Sequence, residues 1–219
     1  MIKGFVFDFD GLILDTETPR FEVYRSLFAS YGVEINRDQW ARIIGTGHSE
    51  YDPLEHLTRV AGDHADKENF RALIEERVDQ RLRVTPPFPG VVEFIQQAHE
   101  QHVPMAVASS STQEWVLFQL NRLNLTRYFD PILTLNDVHL PKPDSELYTL
   151  AARRLNTDPA KLMAFEDSFN GVTAAKAAGL VCFAIPNSMT RQMNFNAADR
   201  VVNSFADLKL EKLLAFEPD

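Results

Sequence analysis

The sequence predicts an α/β fold in which a doubly wound parallel sheet is interrupted by an all-helical insertion. Five short apolar runs rich in valine, isoleucine and phenylalanine recur along the chain, as is typical of parallel strands covered on both faces. From about residue 85 these runs alternate with helical patterns, which indicates an open, doubly wound sheet. Residues 16–84 contain helical patterns and no convincing strand.

Each predicted element has its own signal in the sequence. The apolar runs that predict strands are residues 3–8, 103–110, 131–135, 161–167 and 180–186. Apolar residues at helical spacing predict helices in residues 90–101, 111–124 and 145–156. Four more helical patterns lie within 16–84, where they include Phe21, Trp40, Leu54 and Phe70, and Asn36 is a possible cap for the second.

The proline-rich stretch TPPFPG at 85–90 cannot continue a helix and ends the insertion. We therefore predict a discontinuous core domain formed by residues 1–15 and 85–219, with residues 16–84 as a separate helical domain.

Composition excludes several classes of protein. The chain has 219 residues, 45% of them hydrophobic and 24% charged, which is ordinary for a globular protein. Its net charge of −9 argues against a nucleic-acid surface, which needs a basic patch. Cys182 is the single cysteine, which excludes an intrachain disulfide, and its apolar surroundings predict a core position. The sequence shows no signal peptide and no stretch long enough to cross a bilayer. We expect a soluble, cytoplasmic monomer without nucleic-acid or membrane partners.

Polar residues follow four of the predicted strands. In an open α/β sheet, ligands bind beyond the carboxyl ends of the strands, so these residues are expected to converge. They are Asp8 and Asp10 after the first strand, Ser109, Ser110 and Ser111 after the second, Lys142 after the third, and Glu166 and Asp167 after the fourth.

This grouping predicts phosphoryl chemistry. Several carboxylates close together need a cation, and oxygen ligands of this kind suit Mg²⁺. With the cation present, Asp8 can stay ionised and act as a nucleophile, while Lys142 offsets the charge of a phosphoryl group. Ser109 and backbone N–H groups of the turn at Asp10 and Gly11 can bind phosphoryl oxygens. Asp10 can serve as acid to the leaving oxygen and then as base to water, which predicts an aspartyl-phosphate intermediate.

Four stretches of the sequence resemble the motifs of the haloacid dehalogenase-like superfamily, and more narrowly of its beta-phosphoglucomutase-like phosphatase branch. These stretches are DFDGLILDTE, ASSS after an apolar run, PKPDSELY, and FEDSFNGVTAAKAAGL. The resemblance extends from the first strand to about residue 186. It implies a Rossmann-like core and identifies the helical insertion with the branch's cap domain, which closes over the substrate.

The resemblance also implies a role for each core residue. It makes Asp8 the nucleophile and Asp10 the general acid and base, and it assigns binding of the phosphoryl group to Ser109 and Lys142. It implies that Asp8, the backbone carbonyl of Asp10, and Asp167 hold Mg²⁺. Glu166 is either a further ligand or a supporting residue beside the ligands.

Two residues depart from the pattern of the branch. Ser145 stands where the third motif usually carries proline, which is expected to affect only the loop. Arg20 aligns with a histidine that assists the sugar hydroxyl in the mutases of the branch. The absence of that histidine favours hydrolysis by water.

The substrate-binding residues of the insertion are less clear from the sequence. We predict Gly11, Ser110 and Arg20 as substrate-binding residues, together with Thr46, Gly47 and His48 in the stretch IIGTGHSE. That stretch is equally compatible with a plain connection between two helices. Trp40 and the other aromatic residues of the insertion have core spacing and are not predicted to bind substrate.

The sequence therefore predicts a Mg²⁺-dependent phosphatase acting on a small phosphorylated metabolite, such as a sugar phosphate. A phosphosugar mutase is the nearest alternative because it would share the core residues. A receiver domain, in which a phosphorylated aspartate switches a surface, also combines acids, a hydroxyl and a lysine on such a sheet. The acid two positions after the nucleophile and the helical insertion argue against a receiver. An inactive binding protein is a further alternative, although no core residue looks missing.

Overall fold

The computed structural model describes residues 1–41, 43–44, 51–62 and 65–217. Its strands are β1 (Gly4–Phe7), β2 (Met105–Ala108), β3 (Ile132–Leu133), β4 (Leu162–Glu166), β5 (Val181–Ala184) and β6 (Arg200–Val201). Its α-helices are α1 (Glu17–Ser30), α2 (Arg37–Ala41), α3 (Pro53–Ala61), α4 (Lys67–Leu82), α5 (Val91–Glu100), α6 (Gln113–Arg122), α7 (Glu146–Arg154), α8 (Phe169–Ala177) and α9 (Leu210–Leu214).

The six strands form one parallel sheet in the order β3-β2-β1-β4-β5-β6. The chain proceeds outward from β1 to β3 and then returns to the other side of β1, so the strand order reverses beside β1. Ligands of doubly wound sheets bind at such a reversal. The predicted α/β fold is thereby confirmed, and the ends of β1, β2 and β4 become neighbours.

Both faces of the sheet are covered, because side chains alternate between the two faces of a strand. Phe5 and Phe7 of β1 pack on one side with residues of α5, α6 and α9. Val6, between them, packs on the other side with residues of α7 and α8. Cys182 is buried in this second cluster, which confirms its predicted core position.

Between β1 and α5 the described residues form the helices α1 to α4 and no strand of the sheet, as the sequence predicts. α1, α3 and α4 pack against one another. Trp40 of α2 joins them through ring contacts with Phe21 and Tyr24, at centroid distances of 5.5 and 5.0 Å. The Asn36 side chain accepts hydrogen bonds from the N–H groups of Asp38 and Gln39, so it caps α2 as predicted.

The chain leaves the sheet for these helices and later returns to it, and these two passages lie side by side. Leu14 forms an antiparallel bridge with Pro87, and the Phe88 N–H donates to the Ile13 carbonyl oxygen at 3.0 Å. Arg122 of α6 donates to the Thr85 carbonyl oxygen from the sheet side. The two chain passages are therefore adjacent, and further contacts between the helical unit and the core run from Arg37 to the Ser188 carbonyl oxygen and from Asn170 to the Ile44 carbonyl oxygen.

Two sequence predictions need correction. The sheet has six strands rather than five, since the two exposed residues of β6 carry no buried apolar run for a sequence pattern to detect. The sequence also predicts that Ser111 or Thr112 caps α6, but Thr112 makes no capping hydrogen bond and the Ser111 hydroxyl donates to Asp10. The Asn136 side chain instead accepts from the Gln113 N–H at 2.8 Å.

Within the described residues, no helix has both the length and the apolar character needed to cross a bilayer.

Candidate active site

The carboxyl ends of β1, β2 and β4 bring the predicted polar residues together. Asp8 follows β1, Ser109 follows β2, and Glu166 ends β4. Asp8 and Ser109, together with Lys142 and Asp167, line a cavity of about 1060 Å³ between the sheet and the helical insertion. All four of these side chains are buried within the protein.

Lys142 connects two of these strand ends. Its Nζ donates to Asp8 Oδ1 at 2.6 Å and to Glu166 Oε1 at 2.5 Å. Burial by itself would lower the pKa of Lys142, but the two carboxylates and their hydrogen bonds raise it above its ordinary value. The lysine is therefore a permanent cation beside Asp8. Two of its three N–H groups bind carboxylates of the described chain, and the third can serve a ligand.

Glu166 is completely buried, and its hydrogen bond with Lys142 Nζ holds the lysine in place. Its Oε1 also accepts from the Tyr148 hydroxyl at 2.5 Å. Its Oε2 accepts from the Asp167 N–H at 3.2 Å and from the Ser168 hydroxyl at 3.3 Å. Both oxygens are thus occupied by protein donors, which favours a supporting role over direct metal binding.

A group of three buried acids fits a divalent cation. One oxygen each from Asp8, Glu166 and Asp167 can be chosen so that all three lie within 4.8 Å of one another. Burial raises the pKa of Asp8 to about 8, with Lys142 opposing and Glu166 and Asp10 adding to the rise. Burial and the charges of Asp8 and Glu166 also raise the pKa of Asp167 well above its usual range. Three carboxylates beside one ammonium leave an excess of negative charge, which a cation such as Mg²⁺ would balance.

Asn187 fixes the position of Asp167. Its Nδ2 donates to Asp167 Oδ2 at 2.7 Å and to the Gly11 carbonyl oxygen at 2.9 Å. Gly11 has φ = +82°, and a β-carbon there would lie 2.4 Å from Asp167 Oδ2, so only glycine fits. The Gly11 N–H donates to the Leu14 carbonyl oxygen and is not directed at the cavity. Close packing against Asp167 therefore explains why glycine is needed here. The Gly11 N–H, which the sequence predicts to bind a phosphoryl oxygen, is bonded within the protein in this structure.

Asp10 lies on the β2 side of the cavity. Its Oδ2 accepts from the hydroxyls of Ser109, at 3.2 Å, and Ser111, at 2.8 Å. Its Oδ1 accepts from the Trp115 indole N–H at 2.9 Å. Ser110, which also lines the cavity, accepts through its hydroxyl from the Lys142 backbone N–H at 3.2 Å.

The insertion contributes the opposite wall of the cavity. Thr16, Glu17, Arg20 and Trp40 line it. The Thr16 hydroxyl is buried and has no hydrogen-bond partner within the described chain, whereas the Trp40 indole N–H interacts with the Glu17 carboxylate. Burial raises the pKa of Glu17 to about 7, with Arg20 opposing and nearby acids reinforcing the rise. Arg20, predicted to bind substrate, forms an ion pair with Glu75 at 3.3 Å.

Three of the predicted substrate-binding residues, Thr46, Gly47 and His48, lie outside the described residues. Ile43 and Ile44, at the start of the same stretch, line the cavity.

Several residues of the site were not assigned a role from the sequence. Tyr148 and Trp115 lie in predicted helices, where one aromatic residue gives no signal of a function. Asn187 follows the last predicted strand and has no motif around it. Trp40 does pack as a core residue, as its spacing predicts, but it also lines the cavity beside Glu17.

Comparison with known proteins identifies the family. The sequence profile described as haloacid dehalogenase-like hydrolase matches residues 5–185. The chain belongs to this family. Its beta-phosphoglucomutase-like phosphatase branch, expected from the sequence motifs, is supported by the relatives and structures below.

Two curated relatives cover most of the chain. YhcW of Bacillus subtilis, a phosphatase by name, is 39% identical over 214 residues, which are 98% of this chain and 97% of that protein. The phosphorylated carbohydrates phosphatase of Thermotoga maritima is 36% identical over 180 residues, which are 82% of each chain.

Two solved structures of this family have a similar fold. A Thermotoga maritima protein described as a beta-phosphoglucomutase has a TM-score of 0.77 at 32% identity, covering 98% of this chain and 97% of its own. A variant of CbbY from Rhodobacter sphaeroides, in complex with xylulose-(1,5)bisphosphate, has a TM-score of 0.73 at 28% identity, covering 95% and 96%.

Proposed function

We propose that the chain is a Mg²⁺-dependent phosphatase that hydrolyses a small phosphomonoester, a sugar phosphate, through an aspartyl-phosphate intermediate. One observation carries this proposal. The buried Asp8 carboxylate is held by Lys142 Nζ at 2.6 Å, beside Asp167, at the end of β1 where the strand order reverses. A nucleophile, a fixed cation and a cluster of carboxylates thus meet at one wall of the cavity.

Asp8 and Asp167 would hold the magnesium ion, together with the Asp10 carbonyl oxygen. Bound there, Mg²⁺ would offset the negative charge of a phosphoryl group and keep Asp8 ionised. Glu166 stays behind these residues and keeps Lys142 in place.

The reaction has two halves. In the first, Asp8 forms a bond to phosphorus while the bond from phosphorus to the leaving oxygen breaks, and Asp10 gives its proton to that oxygen. The remaining N–H of Lys142 binds a phosphoryl oxygen, and the Ser109 hydroxyl does so after turning away from Asp10 Oδ2. In the second half, Asp10 takes a proton from a water molecule that attacks phosphorus, which frees Asp8 and releases inorganic phosphate.

The groups on the insertion support a hydroxylated leaving group. Thr16 carries a buried hydroxyl without a partner in the described chain, and burial of such a group is costly unless a ligand or water satisfies it. Glu17 adds an acceptor in the same wall. We propose that residues 16–84 act as the cap, which closes by bending near residues 15–18 and 83–87 and excludes bulk water. The sugar-phosphate names among the relatives agree with this choice of substrate.

A phosphosugar mutase remains the second candidate, favoured by the similarity to the Thermotoga maritima structure described as a beta-phosphoglucomutase. Arg20 is paired with Glu75 at the position aligned with the histidine of the mutases. Hydrolysis is the better supported reaction for that reason. Membership of a hydrolase family gives no support to the receiver alternative.

The test is release of phosphate from a panel of sugar and polyol phosphates, with Mg²⁺ and with EDTA. We expect turnover that requires both Mg²⁺ and Asp8, so Asp8→Asn is inactive, while the matched control Asp38→Asn, at an exposed carboxylate of α2, keeps full activity. Isomerised sugar phosphate without phosphate release would instead identify a mutase.

A further inference from the structure

The Asp10 carboxylate accepts hydrogen bonds from side chains of the loop after β2 and of the first turn of α6. The hydroxyls of Ser109 and Ser111 reach Oδ2, at 3.2 and 2.8 Å. The Trp115 indole N–H reaches Oδ1 at 2.9 Å. The carboxylate is therefore oriented by side chains 99 to 105 residues away in sequence, and not by its own turn.

The three donors are not equivalent. A hydroxyl can donate a hydrogen bond or accept one, so Ser109 and Ser111 can adjust when Asp10 gains or loses a proton. An indole N–H can only donate. Trp115 is therefore the one of these three donors that cannot reverse, and it fixes the position of Oδ1 while the serine hydroxyls can turn.

The position of Trp115 is fixed by the helix that carries it. The residue lies in the first turn of α6, and Val116 and Leu120 of that helix are buried in the core. The Gln113 N–H at the start of the helix is held by Asn136 at 2.8 Å. Trp115 is partly buried against the same core cluster, so its N–H group has little freedom to follow Asp10 elsewhere.

We propose that Trp115 is a positioning residue for the general acid and base. Its N–H holds Oδ1 of Asp10 and so orients the carboxyl group, which gives a proton to the leaving oxygen and later takes one from water. This inference rests on the proposed function, and it deepens it by adding a residue outside the four motifs. A tryptophan that only fills the wall of the cavity would not depend on its N–H group.

The test is Trp115→Phe, which keeps an aromatic ring in the wall and removes the donor. kcat/KM is measured for p-nitrophenyl phosphate and for the alkyl phosphate that the wild-type enzyme hydrolyses best. This parameter covers the steps up to release of the leaving group, which for p-nitrophenolate needs little protonation. We expect a loss of about 10- to 100-fold for the alkyl ester and less than about 3-fold for the aryl ester.

Asp10→Asn provides the reference for this comparison. It should show the same selectivity between the esters, and adding Trp115→Phe to it should cost little more, because both changes act on one group. An equal loss on both esters, or full additivity with Asp10→Asn, would overturn the assignment and leave Trp115 as a structural residue.

A second measurement does not need turnover. The chain contains 2 tryptophans, so a heteronuclear NMR spectrum should show two indole N–H signals. The signal that disappears in Trp115→Phe should shift strongly in Asp10→Asn. An unmoved signal would refute the hydrogen bond. Because it is read from the folded protein alone, this result distinguishes failure of the inference from failure of the proposed phosphatase activity.

Discussion

Substituting Gly171 by alanine should disturb the site through the buried Glu166, which does not itself contact the substrate. Gly171 lies in the first turn of α8, directly over the buried Glu166 carboxylate. A β-carbon added there would lie 1.9 Å from Glu166 Cδ and 2.0 Å from Oε1. An ordinary contact needs at least 3.4 Å, so Glu166 or α8 has to move.

The size of the effect follows from what this movement breaks. Overpacking of a core costs about 1–3 kcal/mol. Loss of one hydrogen bond to a charged group, such as that from the Tyr148 hydroxyl, adds about 1.5–3 kcal/mol. The sum is about 3–6 kcal/mol of unfolding free energy, and in a chain of this size it lowers Tm by about 6–24 °C. Displacement of Glu166 also frees Lys142, so activity should fall even where the protein stays folded.

Urea and thermal unfolding measure the loss of stability, with Gly32→Ala as the matched control. A β-carbon at Gly32 meets no heavy atom within 4 Å, although φ is +72°. The free energy of unfolding of that control should fall only by the penalty for alanine in a left-handed backbone conformation, about 1–2 kcal/mol. In a Glu166→Ala background the clash is gone, so Gly171→Ala should there be neutral or stabilising by up to about 1 kcal/mol. An equal destabilisation with and without Glu166 would refute the reasoning.

Three further predictions concern the charges of the site. Burial raises the pKa of Asp8 to about 8. Between the ordinary pKa of an aspartate and this value, the folded protein keeps a proton that the unfolded chain releases, so the free energy of unfolding falls as the pH rises towards 8. In EDTA, the Tm of Asp8→Asn should exceed that of the wild type by a margin that grows from about pH 5 to about pH 8, and a constant margin would contradict this. Tyr148→Phe removes one donor to Glu166 and should cost about 1.5–3 kcal/mol in urea unfolding, whereas an unchanged midpoint would show that the bond contributes nothing. Mg²⁺ should raise the Tm of the wild type in a thermal-shift assay and hardly change that of Asp167→Asn, and an equal rise in both would place the metal elsewhere.

The strand ends of the site could be predicted from the sequence because each chemical group directly follows an apolar run. Asp8 and Glu166 stand at the ends of runs that only a buried strand explains, and parallel strands must place such residues at one edge. Burying carboxylates there is costly, which itself indicates a cation and a function.

Residues that orient those groups could not be predicted in the same way. Trp115 lies in a predicted helix, next to its apolar face, and nothing in the pattern distinguishes its N–H group. Asn187 bonds to the Gly11 carbonyl oxygen across 176 positions of sequence, a contact that depends on the return of the chain after β5. The sixth strand and the caps of α6 were missed for a related reason. They are made by short, exposed or distant residues that form no periodic pattern.

The central claim is that Asp8 carries the phosphoryl group during turnover. Its most direct test is a rapid acid quench of the enzyme during hydrolysis of a radiolabelled sugar phosphate, followed by peptide mapping. The account predicts label on the peptide that contains Asp8, sensitive to hydroxylamine as an acyl phosphate is, and no label in Asp8→Asn. Phosphate release at full rate by Asp8→Asn, or label retained on another peptide, would contradict it.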